Sequence, residues 1–190
     1  MTDGFSGTDT LRDRLLIAGT KELGQYGMAE FSLRRVAAAC GTSCAAPYKH
    51  FKNKEAFILE IIRYIDRQWE LLRDQILSLY KGDARRQLTE VCVAYIRFWV
   101  ANPNYRSVFA LSEKTNGDGN TDGNTGTSAD IRGLVHAFCM CCEGTGSEER
   151  KFYKIQSILY GMTAMLESGE LSNDTATFSM IRGIIEEEFA

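Results

Sequence analysis

Five basic side chains, Arg34, Arg35, Lys49, Lys52 and Lys54, fall with His50 between Ser32 and Lys54, and no carboxylate interrupts them. A local charge of +5 over 23 residues suits a surface laid against phosphates, because each cation that meets a phosphate displaces a counterion. The same run would also make an ordinary solvated face. The side chains between the charges favour the first reading: Ser43, Cys44 and Ala45 are small, Lys49 is long and flexible, and Tyr48 and His50 add O–H and N–H donors. The 190-residue chain has a net charge of −3, which taken whole speaks against a polyanionic partner. Residues 1–62, however, hold eight Lys and Arg against seven Asp and Glu, and the remainder holds 14 against 18. The sum conceals a basic segment near one end and an acidic excess spread over the rest.

Other reactive groups are weaker signals. Cys139, Cys141 and Cys142 follow His136, and His136 with Cys139 would put two metal ligands on one helical face. Cys40 and Cys44 lie too far away in the fold to complete a site. The cluster therefore reads first as three small hydrophobes on a buried helix next to Met140, with thiol sensing and metal binding as competitors. Residues 118–123 match the first half of a calcium loop, but Thr125 and Ala129 stand where an aliphatic residue and a bidentate glutamate are needed. Residues 115–127, drawn only from Thr, Asn, Gly and Asp, are expected to form a loop. There is no G-x-S-x-G, P-loop or H-E-x-x-H, so neither an enzyme nor a cofactor is expected. The first residues lack a basic stretch followed by an apolar one, so the six cysteines are expected to be thiols in a cytoplasmic protein. No apolar run of about 18 residues predicts a membrane span.

The elements that must position these groups are helical, and only Pro47 and Pro103 stand against them. Residues 10–26 form the first helix, with Thr8, Asp9 or Thr10 as its cap. Ser32 caps a second, in which Leu33, Val36, Ala37 and Cys40 make one buried stripe. Gly41 stops it by taking a positive φ, and Thr42 or Ser43 caps a third short helix through Phe51 with Pro47 in its first turn. Two short helices joined by a glycine-containing turn are a helix-turn-helix, with the small Ala37 where they cross. Asn53 caps a long fourth helix to about residue 81. Further helices are expected at 83–101, 103–114, 128–143, 148–168 and 173–189, giving an all-α chain of about nine helices. The domain boundary is expected at 53/54, between the helix-turn-helix head and a second, wholly helical domain.

The run Phe31-Ser32-Leu33-Arg34-Arg35-Val36-Ala37-Ala38-Ala39-Cys40-Gly41-Thr42-Ser43, followed by Ala45-Ala46-Pro47-Tyr48-Lys49-His50-Phe51-Lys52-Asn53-Lys54, resembles the DNA-binding region of the TetR family of bacterial transcriptional regulators, in its Ala-Ala-Pro-Tyr version. The likeness covers residues 10–60; beyond them it is looser, although Tyr160-Gly161 and residues 166–171 are similar to the penultimate helix of such members. It implies a DNA surface of Ser32, Arg34, Thr42, Ser43, Cys44, Ala45, Tyr48, Lys49, His50 and Lys54. Lys49 would reach guanine O6 and N7, Ala45 a thymine methyl, and Tyr48, His50, Lys54 and Ser32 phosphate oxygens. One recognition helix is too small an interface for tight specific binding, so a homodimer on a palindromic operator is expected. Ile155, Ile158, Leu159, Met162 and Leu166 on one helix and Phe178, Ile181 and Ile185 on the next form the expected dimer surface, or else intramolecular core.

The resemblance also implies a cavity for a small apolar or amphipathic effector, with Tyr95, Phe98, Trp99, Phe109, Phe138 and Met140 as candidates for its lining. The function expected is that of a repressor released from its operator by the effector. Two alternatives are a thiol-redox or metal-responsive DNA-binding sensor using Cys139, Cys141 and Cys142, and a helical enzyme or carrier without DNA binding.

Overall fold

The structure is a computed structural model and describes residues 10–102, 126–141 and 147–189. Among them are eight helices: α1 (Leu11–Tyr26), α2 (Leu33–Ala39), α3 (Ala46–His50), α4 (Lys54–Leu79), α5 (Ala84–Ala101), α6 (Gly126–Cys141), α7 (Glu148–Ser168) and α8 (Thr175–Glu187). The helix expected at 103–114, the calcium-like run at 118–123 and Cys142 lie outside the described residues. None of the described helices is long and apolar enough to cross a membrane.

Local chemistry sets the boundaries. Thr10 and Asp13 form a capping box at the start of α1, and the hydroxyl of Thr10 holds the Asp13 carboxyl below its usual range. Gly27, at φ 67°, closes the far end, its N–H donating to the Leu23 carbonyl. The Ser32 hydroxyl accepts from Arg35 N–H at 3.4 Å to start α2, and the Asn53 side chain accepts from Ala56 N–H at 2.8 Å to start α4. Gly41 takes φ 65°, a conformation costly for any residue with a Cβ. The start of α3 differs from expectation. Its N-cap is Ala45, no side chain caps it, and the turn is closed instead by Ala46 N–H on the Ser43 carbonyl at 2.9 Å.

The chain divides into two compact units, and the division falls inside α4, after Gln68. In the first, α1 and α2 pack through Leu15, Leu16, Leu23, Val36 and Ala37, all at most 2% exposed. Phe57 of α4 is fully buried, edge-on to Phe51 at 4.4 Å and tilted against Phe31 at 5.9 Å. The unit thus continues past residue 53, because its aromatic core draws on the first turns of α4. Glu60 of α4 pairs with Arg12 of α1 and with Arg63; burial opposes its ionisation, yet the two guanidiniums hold its carboxyl below the usual range. In the second unit α5 is central, lying against α6, α7 and α8 with Leu88, Val91, Cys92 and Ile96 inaccessible to solvent. Asp130 of α6 ties this unit to its share of α4, accepting from Trp69 Nε1 at 3.2 Å and pairing with Arg73 at 2.6 Å.

The closest approach in the first unit is at Gly19 on α1, where a Cβ would stand 2.7 Å from Ile61 Cδ1 and 2.8 Å from the Phe57 ring. Gly24, on the same helix, has nothing within 4 Å of that position. Gly19→Ala is expected to destabilise the protein by about 1–3 kcal/mol through overpacking, and Gly24→Ala to stabilise it by up to about 1 kcal/mol through helix propensity. Urea denaturation midpoints of the two variants check the opposite signs.

Candidate nucleic-acid interface

The five residues of α3 divide cleanly. Ala46 and Pro47 are buried against the head, and Tyr48, Lys49 and His50 face solvent, as do Ser43, Cys44 and Ala45 in the turn before them. Tyr48 is 59% exposed, which excludes a core role for it, whereas Phe51 is 5% exposed and belongs to the core. Arg34 is exposed on α2; Ser32 and Thr42 are half-buried. The Lys54 ammonium lies 5.8 Å from the centre of the Phe31 ring, with its stem half-buried. Arg34, Lys49 and Lys52 make no ion pair with any described residue, so their charges are available to an outside partner.

Arg35 is the exception among the five cations, and it shows how the frame is held. Glu22 of α1, 8% exposed, points its carboxylate at the start of α2. One oxygen, Oε1, accepts from Ser32 N–H at 3.1 Å and from Arg35 Nε at 2.8 Å. The same guanidinium donates to the Glu30 carbonyl and lies 4.2 Å from the centre of the Tyr26 ring. A second link joins α1 to the far end of α2: Arg14 donates to the Cys40 carbonyl at 2.7 Å, and the Cys40 thiol donates to the Arg14 carbonyl at 3.4 Å. Burial raises the Cys40 thiol above its ordinary pKa, which keeps it a donor. Glu22, Arg14 and Tyr26 therefore fix both ends of α2, and α2 carries the turn and α3. The basic run presents four cations outward, because Glu22, which lies outside that run, neutralises the fifth.

A helix-turn-helix with a free basic face is found in unrelated proteins, so comparison decides the family. Residues 15–61 match the family described as bacterial regulatory proteins, tetR family. The head is a TetR-family DNA-binding domain. The protein is accordingly a DNA-binding transcriptional regulator, a class that acts by binding and not by catalysis. Solved structures share the fold over nearly the whole length. A protein of unknown function from Rhodococcus sp. RHA1 is 17% identical with a TM-score of 0.75, over 98% of this chain and 97% of that one. The TetR family regulator PfmR from Thermus thermophilus is 17% identical with a TM-score of 0.63, over 95% and 96%. A TetR variant from Acinetobacter baumannii AYE, in complex with minocycline, is 16% identical with a TM-score of 0.53, over 92% of each chain. No curated protein sequence matches the chain.

In this chain the second unit brings together three of the candidate effector residues. Tyr95 and Phe98 lie against Trp69 with ring centres 5.7 and 5.4 Å away, and Trp99 joins the cluster through Tyr95 at 5.7 Å and Phe98 at 6.5 Å. Phe138 is buried elsewhere, edge-on to Phe189 at 4.9 Å, and Phe109 lies outside the described residues. Met140 is 74% exposed and Cys141 is exposed, so the end of α6 is a surface and neither residue lines an interior. The reading of Met140 and its neighbours as buried hydrophobes is corrected by the same observation. Cys139 is half-buried, His136 bonds Glu148 at 2.9 Å, and no group of three metal-ligating side chains occurs among the described residues.

The residues expected at a dimer surface separate by burial. Ile155, Leu159, Leu166, Phe178, Ile181 and Ile185 are at most 7% exposed within one protomer and form its core, while Ile158 and Met162 are half-buried. The outward side of α7 carries Tyr153, Ser157, Tyr160, Gly161 and Ala164, with Arg150, Lys154 and Glu167 exposed around them, and that of α8 carries Ala176, Ser179 and Met180 ahead of Glu186 and Glu187. Apolar periodicity finds the inward stripe because it is the more hydrophobic; the outward one mixes tyrosines, a methionine and small residues with a few charges.

The Glu22–Arg35 clamp is expected to couple the two residues. A double-mutant cycle with Glu22→Gln and Arg35→Gln should give a favourable interaction energy in urea unfolding, each single variant losing more than its change does in the background of the other. Arg35→Gln should leave the salt slope of DNA binding unchanged, whereas Arg34→Gln should lower it by about 1. A slope that falls equally for both would place Arg35 on the phosphates.

Proposed function

We propose that the protein is a homodimeric repressor that reads a palindromic operator with two copies of α3 and leaves it when a small apolar or amphipathic effector binds the second unit. The observation that carries the DNA reading is the outward face of the head: small side chains at Ser43, Cys44 and Ala45, donors at Tyr48 and His50, and cations at Arg34, Lys49 and Lys52 that have no ion-pair partner among the described residues. The small residues let the start of α3 approach a groove about 12 Å wide. Lys49 reads guanine from there and Ala45 meets a thymine methyl, while Tyr48, His50, Lys54, Ser32, Arg34, Thr42, Ser43 and Cys44 meet the backbone and the groove edge.

A single α3 buries too little surface for specific affinity, which supports a dimer with its heads about 34 Å apart. The face best suited to it is the outward side of α7 and α8, where Tyr153, Tyr160 and Met180 stand exposed. The aromatic cluster of Trp69, Tyr95, Phe98 and Trp99 suits an apolar effector, and it includes a residue of α4, the helix that also enters the head's core. An effector that biases the course of α4 would change the spacing of the two heads and misplace one of them on its half-site.

Selection of bound duplexes from a random pool is expected to enrich a palindrome with half-sites about one helical turn apart; failure to enrich any sequence overturns the proposal. On the selected duplex, Lys49→Ala should cost about 1–3 kcal/mol while sparing random duplex, whereas Lys54→Ala should weaken both and lower the salt slope by about 1. Tyr160→Glu combined with Met180→Glu should convert dimers to monomers in light scattering and weaken operator binding by about a hundredfold or more. A dimer of unchanged strength would move the interface elsewhere.

A further inference from the structure

Away from the aromatic cluster, the second unit holds an open cleft of about 750 Å³ formed by the end of α4, the first turns of α5 and the last turns of α8. Thr89 lines it, is 2% exposed, and its hydroxyl has no hydrogen-bond partner. Other helical threonines in this chain behave differently. Thr20 turns its hydroxyl back onto the Leu16 carbonyl at 3.0 Å, and Thr163 onto the Leu159 carbonyl at 2.7 Å. A buried hydroxyl left unpaired is costly, so a ligand group in the cleft is its natural partner.

The cations around Thr89 point the same way. Arg182 is neutralised by Glu90. Arg85 donates to the Glu186 backbone carbonyl at 3.0 Å, and the Arg86 guanidinium lies 4.7 Å from the centre of the Tyr80 ring. Neither Arg85 nor Arg86 has a carboxylate partner among the described residues. We propose that this cleft binds a small organic acid, whose carboxylate is taken by the Arg85 and Arg86 guanidiniums and the Thr89 hydroxyl. The lining also includes Asp83, whose carboxylate accepts from Arg86 N–H at 2.9 Å, and Glu186. With Glu90 they balance Arg85, Arg86 and Arg182, so the cleft has no net positive charge to reward a second negative charge on the ligand, and an organic acid with an apolar body is favoured over inorganic phosphate. The Tyr80 ring and the arginine stems give the acid's body a flat apolar seat, and the volume is that of an ordinary small-molecule site.

The test is titration of benzoate into the full-length protein, read by the threonine methyl signals in NMR and by calorimetry, with benzamide and inorganic phosphate as comparators at matched ionic strength. Duplex is absent, so the result is independent of the operator proposal. Benzoate is expected to shift the Thr89 methyl saturably, with a dissociation constant on the order of millimolar for so small an acid. Phosphate should bind more weakly and benzamide not at all. Thr89→Val and Arg86→Gln should each weaken benzoate about tenfold through the lost charge-assisted hydrogen bond, and Thr89→Ser should retain it. If Thr89→Val does not fold, Arg85→Gln with Arg86→Gln, both at exposed positions, makes the same comparison. Absence of saturable binding, benzamide binding as well as benzoate, phosphate binding more tightly, or benzoate binding undiminished in the variants would overturn the proposal.

Discussion

One carboxylate on α1 sets the position of everything the head presents. Glu22 is nearly inaccessible to solvent and accepts both the first free N–H of the α2 region and the guanidinium of Arg35. A charge so buried is tolerated only when it is paired and hydrogen-bonded, so the start of α2 cannot move away from α1 without exposing a large penalty. The recognition helix has only five residues and no side-chain cap. It is too short to hold itself and takes its direction from Gly41, from the buried Ala46 and Pro47, and through α2 from Glu22.

The same constraint divides the basic residues by role. Arg35, adjacent to Arg34 in sequence, is spent internally on Glu22, the Glu30 carbonyl and the Tyr26 ring. Arg34, one position earlier on a 3.6-residue helix, is exposed and has no ion-pair partner among the described residues. Of two neighbouring arginines, one is thus held within the fold and the other is left to solvent. Charge density read from sequence counts both alike, which is why a local +5 overstates the charge on the outer face.

Much of the fold was legible because it rests on local rules. Ser32 and Asn53 each cap the helix they precede, Gly41 takes the positive φ of the turn, and the stripe Leu33, Val36, Ala37 and Cys40 is buried as its spacing requires. What the sequence pattern did not show has more than one cause. A glutamate on α1 looks like a solvent residue until its partner thirteen positions later is known. The cap of α3 was misread because Thr42 and Ser43 are good capping types, yet the backbone turn leaves them too far back and Ala45 takes the place. Met140 was placed inside on hydrophobicity alone, although it sits one position from the end of α6, where one side of a helix must meet water.

The helices α7 and α8 carry the same lesson to the level of assembly. Each has an inward stripe and an outward side. The isoleucines and leucines are already covered by α5 and by each other within one protomer. What remains outside mixes tyrosines, a methionine and small residues with a few charges, Arg150, Lys154 and Glu167 on α7 and Glu186 and Glu187 on α8. Tyrosine and methionine are enriched, and charge depleted, where one protein surface covers another. Small residues let helices approach closely, as Gly19 does against Phe57 and Ile61 inside the head. The apolar residues that periodicity picks out are therefore the core of one protomer, and under the proposed dimer the contact surface has to be sought among the residues that periodicity passes over.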